Sequence, residues 1–136
     1  KFIINKNDVD GAVRYTQNVI KEIKAGNIPL KDLIIYEQLT KPLSEYKVVG
    51  PHVAAATKIR DRGGDVGEGM VVMFVITKGE GSISQRAEPI KNAEIKNIDE
   101  EYYIHNQIVP AALRVLTVLG VSEEQLLGGS LRSFLK

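Results

Sequence analysis

The sequence predicts an α+β fold, a single domain in which about three main helices pack on a small, mostly antiparallel sheet. Three segments combine helical spacing of apolar side chains with capping residues, and two short aliphatic runs bounded by glycine or proline are typical of strands. The 136 residues, 43% hydrophobic and 26% charged, suffice for one core and are too few for two comfortable domains. This composition is ordinary for a globular domain and argues against disorder.

The first helix is predicted over residues 8–25, where Asp8 can cap the start and Gly26 stands where a glycine commonly follows a helix. The second is predicted over residues 51–62, with Pro51 at its first position, where a missing N–H costs nothing. The apolar side chains predicted to line the core from these two helices are Val9, Val13, Val19, Ile20, Ile23, Val53, Ala54, Ala56 and Ile59.

The third and longest helix begins at the acidic residues 99–101, which complement a positive helix end. Pro110 inside it predicts a kink near Asn106, because that carbonyl loses its N–H partner. Residues 122–125 have the form of a capping box, which opens a short helix through Leu127. The predicted buried stripe of the long helix is Ile104, Ile108, Ala112, Val115, Leu116 and Leu119.

Strands are predicted over residues 33–38 and 70–77. Seven residues of the second run are apolar without interruption, which predicts a strand covered on both faces. A short return strand is predicted over residues 82–87, with Pro89 interrupting it, and residues 91–98 are predicted to be polar and irregular.

Charge and cysteine content exclude several classes of function. The net charge of +1 is nearly neutral, so any role in nucleic-acid binding must rest on a local patch. With no cysteine there are no disulfides and no thiolate metal sites. No apolar run approaches the roughly 20 residues of a membrane span, and an intracellular location fits these observations.

Motifs of catalysis are also missing. Gly64 and Gly69 have the spacing of a phosphate-binding loop, but the lysine and the following helix that such a loop needs are replaced by the start of a strand, so turn glycines are the better explanation. His52 and His105 lack the spacing of a metal site and are interpreted as packed or surface histidines. No paired aspartates of the kind that hold two metal ions for nucleotidyl transfer are present. Catalysis by this chain alone is therefore not predicted.

Cations and hydrogen-bond donors concentrate in the predicted loops and on the second helix. Each one alone is best interpreted as solvated surface, but together, with Gly79 and Gly81 allowing close backbone approach, they could follow a phosphate backbone. The set consists of Lys41, Lys47, Lys58, Arg62, Lys78, Gln85 and Arg86.

Most of the chain resembles one family, in the right order. The stretch YEQLTKPLSEYK at residues 36–47, with GPHVA shortly after it, is similar to the thumb of archaeal family B DNA polymerases almost residue for residue. The similarity continues through GMVV, KGEGSISQRA, EYYIHNQIVPA and RVL, at residues 69–72, 78–87, 101–111 and 114–116.

The resemblance implies that residues 1–127 are a polymerase thumb domain that grips primer–template duplex DNA behind the active site, through phosphates and the minor groove and without reading sequence. It implies no cofactor in this segment, with Mg²⁺ expected in a palm that the resemblance does not cover. Matching positions give the predicted DNA contacts Thr40, Lys41, His52, Lys78, Ser84, Gln85, Arg86 and Asn106.

Two departures from the family pattern concern the long helix and the C-terminus. His105 stands where the family commonly has a glutamate. The tail, residues 128–136, resembles a sliding-clamp-binding motif with Leu131, Phe134 and Leu135 as its apolar contacts, but Gly128 replaces the usual leading glutamine. The implied partners are duplex DNA, the catalytic portion of the polymerase and the sliding clamp, with no membrane.

Two functions are therefore carried forward. The first is the thumb of a DNA-directed DNA polymerase, a nucleotidyltransferase of replication. On this hypothesis the segment supports processivity and is inactive by itself. It would be an excised piece of the polymerase or come from the small polypeptide of a split polymerase. The second is a protein–protein module that docks a catalytic polymerase subunit onto the sliding clamp, which the near-zero net charge favours. The resemblance places either one inside the cell, at the nucleoid.

Overall fold

The computed structural model describes residues 6–127, which form two compact units. One unit combines residues 6–27 with residues 100–127, and the other is Ile28–Asp99. The elements in chain order are α1 (Lys6–Lys24), β1 (Ile35–Gln38), α2 (Pro51–Asp61), β2 (Val71–Ile76), β3 (Ala87–Pro89), α3 (Glu100–Tyr103), α4 (Val109–Leu116) and α5 (Glu123–Leu127). The predicted α+β class is confirmed, and none of the helices described is long and apolar enough to cross a membrane.

The sheet of the unit Ile28–Asp99 is antiparallel throughout, in the order β1-β2-β3. Ile35 pairs with Phe74 and Gln38 with Val71, while Ile76 on the other edge of β2 pairs with Ala87. Helix α2 begins at Pro51, as predicted, and packs on β2 and β3. The side chains that α2 buries are Val53, Ala55 and Ala56.

The prediction that the long apolar strand is covered on both faces was wrong for its first half. Val71 and Met73 are 48% and 43% exposed, whereas Val72 and the residues from Phe74 onward are buried. The register partner of Met73 is Tyr36, which is also exposed. Tyr36, Val71 and Met73 therefore lie exposed on the same face of the β1–β2 pair, and an uninterrupted apolar run did not distinguish this arrangement from a fully buried strand.

The prediction of a return strand was right, but its predicted position at residues 82–87 was wrong. Residues Ser84–Arg86 form a 3₁₀ turn, and the strand is Ala87–Pro89, so Pro89 lies within β3 rather than interrupting it. An edge strand tolerates proline because one side of it needs no ladder hydrogen bond. The region predicted to be irregular contains two further short 3₁₀ turns, Ile90–Asn92 and Ile95–Asn97.

In the other unit, α1 packs against α5 and the α3–α4 segment. The long helix changes to π-helical geometry at Ile104–Ile108, just before Pro110, so the backbone is irregular where the kink was predicted. A π turn inserts a residue and rotates the side chains that follow it. The stripe prediction is accordingly right for Ile104 and Leu116 but wrong for Val115 and Leu119, which are exposed.

The capping box at the start of α5 is confirmed. Ser122 N–H donates to Gln125 Oε1 over 2.8 Å, and Gln125 N–H donates to Ser122 Oγ over 3.3 Å. This reciprocal pair satisfies helix-end groups and holds α5 so that Leu126 is fully buried.

Candidate nucleic-acid interface

The predicted contact residues of the unit Ile28–Asp99 fall largely in two loops at opposite ends of the sheet. The β1-end loop, residues 39–47, carries Thr40 and Lys41, and the β2-end turn, residues 77–86, carries Lys78. Because β1 and β2 are antiparallel, the loops that follow them lie at opposite ends, roughly 25 Å apart at about 3.3 Å per strand residue.

The β1-end loop is fastened to the sheet by Leu39. Its side chain is fully buried, its N–H donates to Met70 O over 2.8 Å, and its carbonyl accepts from Gly69 N–H over 2.7 Å. These bonds continue the β1–β2 ladder past Gln38, so Thr40 is the first residue to leave the sheet.

Tyr46 closes the β1-end loop from the other side. Thr40 N–H donates to Tyr46 Oη over 2.9 Å, and the Thr40 hydroxyl lies 3.3 Å from the same oxygen. Lys41 Nζ sits 5.0 Å from the centre of the Tyr46 ring, within the range of a cation–π contact. The hydrogen bond from the Thr40 hydroxyl is the largest cause that lowers the pKa of Tyr46, followed by the Thr40 backbone and by Lys41.

His52 lies in the first turn of α2 with its side chain only 14% exposed. Its Nδ1 is 3.0 Å from Glu37 Oε2, but the two atoms do not form a hydrogen bond. The ring also meets Tyr46 edge to face at 5.7 Å. His52 therefore packs behind the β1-end loop, as its interpretation from sequence stated, and its role as a DNA contact stays a prediction.

The β2-end turn presents Lys78 to solvent. Its backbone N–H donates to Asn97 O over 2.8 Å, which fixes the start of the turn, and Gly79 and Gly81 supply positive φ angles of 136° and 99° that the chain needs to reverse. The Lys78 side chain is exposed and contacts no carboxylate among residues 6–127.

Ser82 and Gln85 make reciprocal bonds like those of the α5 capping box. Ser82 N–H donates to Gln85 Oε1 over 2.8 Å, and Gln85 N–H donates to Ser82 Oγ over 3.2 Å. The Gln85 side chain is thus exposed and also hydrogen-bonded within its own turn. Ser84 beside it is half-buried.

Arg86 faces the protein rather than solvent. Its side chain is 16% exposed; Nη1 donates to Thr77 O over 2.8 Å and to the carboxylate of Asp99, and Nε donates to Gly81 O over 3.3 Å. Arg86, which was predicted as a DNA contact, thus bonds to two carbonyls of the β2-end turn and pairs with Asp99. Its role as a DNA contact stays a prediction.

Lys58 and Arg62, which share a face of α2 as predicted, converge on Glu88 of β3. Arg62 Nη1 donates to Glu88 Oε2 over 2.6 Å, and this bond is the largest cause that raises the pKa of Arg62. Lys58 Nζ lies 3.5 Å from Glu88 Oε1 and donates to the carbonyls of Gln85 and Ala87 over 2.9 and 2.8 Å. These two cations hold the helix to the sheet edge.

Sequence reasoning missed Glu88 and Asp99. Both acids are distant in sequence from their cations, 26 and 13 residues from Arg62 and Arg86 respectively, so helical spacing carries no signal for either pair. The only available signal was that both acids follow the predicted return strand in sequence, Glu88 directly and Asp99 at the start of the predicted third helix.

An open polar depression of about 220 Å³ lies beside Lys78. Its lining residues are Thr77, Lys78, Glu88, Asn92, Glu94 and Asn97. Within the described part of the chain, no three histidine or acidic side chains gather so as to hold a metal ion.

The remaining predicted contacts lie elsewhere. Asn106 is exposed in the π turn of the other unit, and near it His105 Nε2 lies 3.0 Å from Glu101 Oε2. The predicted clamp contacts Leu131, Phe134 and Leu135 lie outside the described residues.

Lys41 and Lys78 are exposed lysines in hydrogen-bonded turns, and lysine is one of the side chains that proteins use to contact phosphates. The family model described as DNA polymerase family B matches residues 1–119. The chain belongs to DNA polymerase family B.

Relatives are similar over most of this chain. DNA polymerase 2 of Aeropyrum pernix is 38% identical over 135 residues, which is 99% of this chain and 17% of that polymerase. The DNA polymerase of Pyrococcus glycovorans is 41% identical over 120 residues, 87% of this chain and 16% of that protein. The solved family B DNA polymerase of the hyperthermophilic archaeon Pyrobaculum calidifontis superposes with a TM-score of 0.79 at 41% identity, covering 90% of this chain and 16% of that one. The chain thus spans less than a fifth of the length of these relatives.

Proposed function

We propose that this segment is the thumb of a DNA-directed DNA polymerase, and that it grips primer–template duplex DNA through phosphate and minor-groove contacts without reading sequence. The observation that carries the proposal is the contrast between cations in the unit Ile28–Asp99. The guanidinium and ammonium groups beside β3 are held by Glu88 and Asp99, whereas Lys41 and Lys78 are exposed and contact no carboxylate among residues 6–127.

The separation of the two loops that carry these lysines supports a duplex as the partner. The loops begin roughly 25 Å apart along the sheet, a length that corresponds to about seven base-pair rises of 3.4 Å along the axis of a DNA duplex. The backbone of both loops is fixed by hydrogen bonds, so little backbone entropy is lost when a phosphate replaces water around each ammonium group. The contacts supply affinity but carry no base information, and this fits a grip on any sequence.

The proposal is tested by fluorescence anisotropy with the full 136-residue chain and two labelled DNA duplexes of unrelated sequence. We expect binding that weakens between about 50 and about 200 mM salt, and Lys41→Ala or Lys78→Ala should each reduce the salt slope by about 0.9. Lys31→Ala is the matched control, because it removes the same charge from an exposed lysine outside both loops. Losses that differ strongly between the two duplexes would contradict phosphate gripping.

Catalysis is assigned to portions of the polymerase that this segment does not supply, either in the same polypeptide or in a partner subunit of a split enzyme. We expect no primer extension by the chain alone. A polymerase that carries Lys41→Ala and Lys78→Ala together should release its primer after fewer nucleotides than the unaltered enzyme. Unchanged product lengths would argue against a role in processivity.

A second candidate function is the docking module that joins a catalytic subunit to the sliding clamp. It is favoured by the apolar side chains left in solvent at the end of α4, where Val118 is 82% and Val115 is 63% exposed. If docking is the main role, Val118→Ser should weaken association with the catalytic subunit while leaving duplex binding unchanged. Phe134→Ala should then weaken binding to purified clamp.

A further inference from the structure

We propose that Arg86 acts on DNA binding as a positioning residue, and that Asp99 is its partner in holding the β2-end turn so that Lys78 faces the duplex. The inference rests on the proposed function, because it explains how a loop gains a fixed phosphate-binding geometry. It differs from a direct phosphate contact by Arg86, which its position in the sequence suggests.

The contacts of Arg86 span the turn from both sides. Its guanidinium donates to the carbonyls of Thr77, before Lys78, and Gly81, after it. A planar group with several donors can bridge these two carbonyls, which a lysine ammonium cannot do in the same geometry. The distance across the turn is therefore set by the side chain of Arg86.

Asp99 orients the guanidinium. The ion pair is largely buried, with 16% and 18% of the two side chains exposed, so solvent screens it less than a surface pair. Asp99 is itself fixed, because its N–H donates to Ile76 O over 3.0 Å at the end of β2. A duplex phosphate that approached Arg86 would have to compete with this carboxylate and with two carbonyls.

The backbone of Arg86 completes the frame. Its carbonyl accepts from both the N–H and the hydroxyl of Thr77 over 2.9 Å, which joins the residue just before β3 to the residue just before Lys78. Thr77 at the start of the turn and Gly81 in its middle thus both bond to Arg86 at its end. Lys78 lies between these fixed points with its side chain exposed.

The charge of Asp99 separates the two roles of Arg86. If Arg86 touches phosphates, Asp99→Asn releases the guanidinium and makes the protein more positive, so duplex binding should become tighter. If Arg86 positions the turn, the same change should weaken binding by roughly threefold to tenfold, because a charge-assisted bond is replaced by a neutral one. Asp65→Asn is the matched control, since it removes the same charge from an exposed loop residue.

The test uses the full 136-residue chain with a labelled DNA duplex at several salt concentrations. We expect Arg86→Lys, which keeps the charge, to lose as much of the salt slope as Lys78→Ala. We also expect Lys78→Ala with Asp99→Asn to bind no more weakly than Lys78→Ala alone. Tighter binding by Asp99→Asn, or additive losses in the double variant, would overturn the inference.

Amide hydrogen exchange provides a readout that does not depend on DNA. Asp99→Asn should speed exchange at the amides of Lys78 and Ser82, which donate to Asn97 O and to Gln85 Oε1, while the amides of α2 stay unchanged. Unaltered exchange at those two amides would overturn the inference even if the chain bound no duplex. A chain that fails to bind DNA but shows faster exchange would instead contradict the proposed function alone.

Discussion

Arg62 Nη1 donates to Glu88 Oε2 over 2.6 Å, a bond that ties the end of α2 to the edge strand β3. The same carboxylate also lies 3.5 Å from Lys58 Nζ, so Glu88 pairs with two cations that lie one helical turn apart. Glu88→Gln should therefore lower the midpoint of urea unfolding, because both cations then lie beside a neutral amide. Glu45→Gln, at an exposed site with no ion pair, is the control that should leave the midpoint unchanged.

Burial of Leu39 couples the core to the β1-end loop. Leu39→Ala should lower the free energy of unfolding by about 2–5 kcal/mol, as expected for a fully buried leucine that leaves a cavity. Val48→Ala, at a side chain that is 80% exposed, should change it by less than about 0.5 kcal/mol. Urea unfolding followed by circular dichroism measures both, and equal effects would contradict the packing described for Leu39.

The local elements of this fold were predictable because their signals are local. Pro51 predicted the start of α2, and Ser122 with Gln125 three residues later predicted the N-terminal cap of α5. The strand predicted at residues 82–87 was wrong for a related reason. Ser82 and Gln85 make the same kind of reciprocal hydrogen bonds and close a turn there, so the strand begins several residues later. Alternating character could not reveal that competition.

The candidate site was predictable in its residues but not in their roles. Lys41 and Lys78 were identified together with Arg86, yet only the fold shows that the first two are exposed and the third is enclosed by Thr77, Gly81 and Asp99. Pairing between distant residues depends on strand register, which has no counterpart in side-chain periodicity. The π turn before Pro110 has a similar effect on the long helix, because it rotates Val115 out of a stripe drawn at constant spacing.

The cap of α5 should contribute measurably to stability. Ser122→Ala removes the oxygen that accepts from Gln125 N–H, and should lower the free energy of unfolding by about 0.5–2 kcal/mol. Ser44→Ala, in an exposed 3₁₀ turn, is the matched control. A larger effect at Ser44 than at Ser122 in urea unfolding would rule out the capping contribution.

Tyr46 should lose its proton at lower pH than an ordinary tyrosine. Because hydrogen bonds from Thr40 lower its pKa in the folded state, phenolate formation stabilises the fold. That contribution is fully present above the pKa of an unfolded tyrosine and is lost as pH falls through the folded pKa. Near-ultraviolet absorbance titration should show an early step that is absent in Tyr46→Phe.

The variant Thr40→Val tests the cause of this early step. It removes the hydroxyl beside Tyr46 Oη but keeps the backbone N–H, so the step should move toward ordinary tyrosine pH without disappearing. Tyr36→Phe should keep the step, since Tyr36 lies outside the β1-end loop. An early step that persists unchanged in Thr40→Val would mean that the Thr40 hydroxyl does not cause the shift.

Gly81 and Gly79 allow backbone strain in the β2-end turn to be separated from side-chain crowding. Both have positive φ, so alanine at either position should lower the free energy of unfolding by roughly 1–2 kcal/mol. A β-carbon at Gly79 meets no atom within 4 Å, whereas one at Gly81 would clash with Gln85 Oε1, the acceptor for Ser82 N–H. Gly81→Ala should therefore destabilise the chain and weaken duplex binding more than Gly79→Ala. Equal effects of the two alanines in urea unfolding and in anisotropy would show that the bond between Ser82 and Gln85 does not hold the turn.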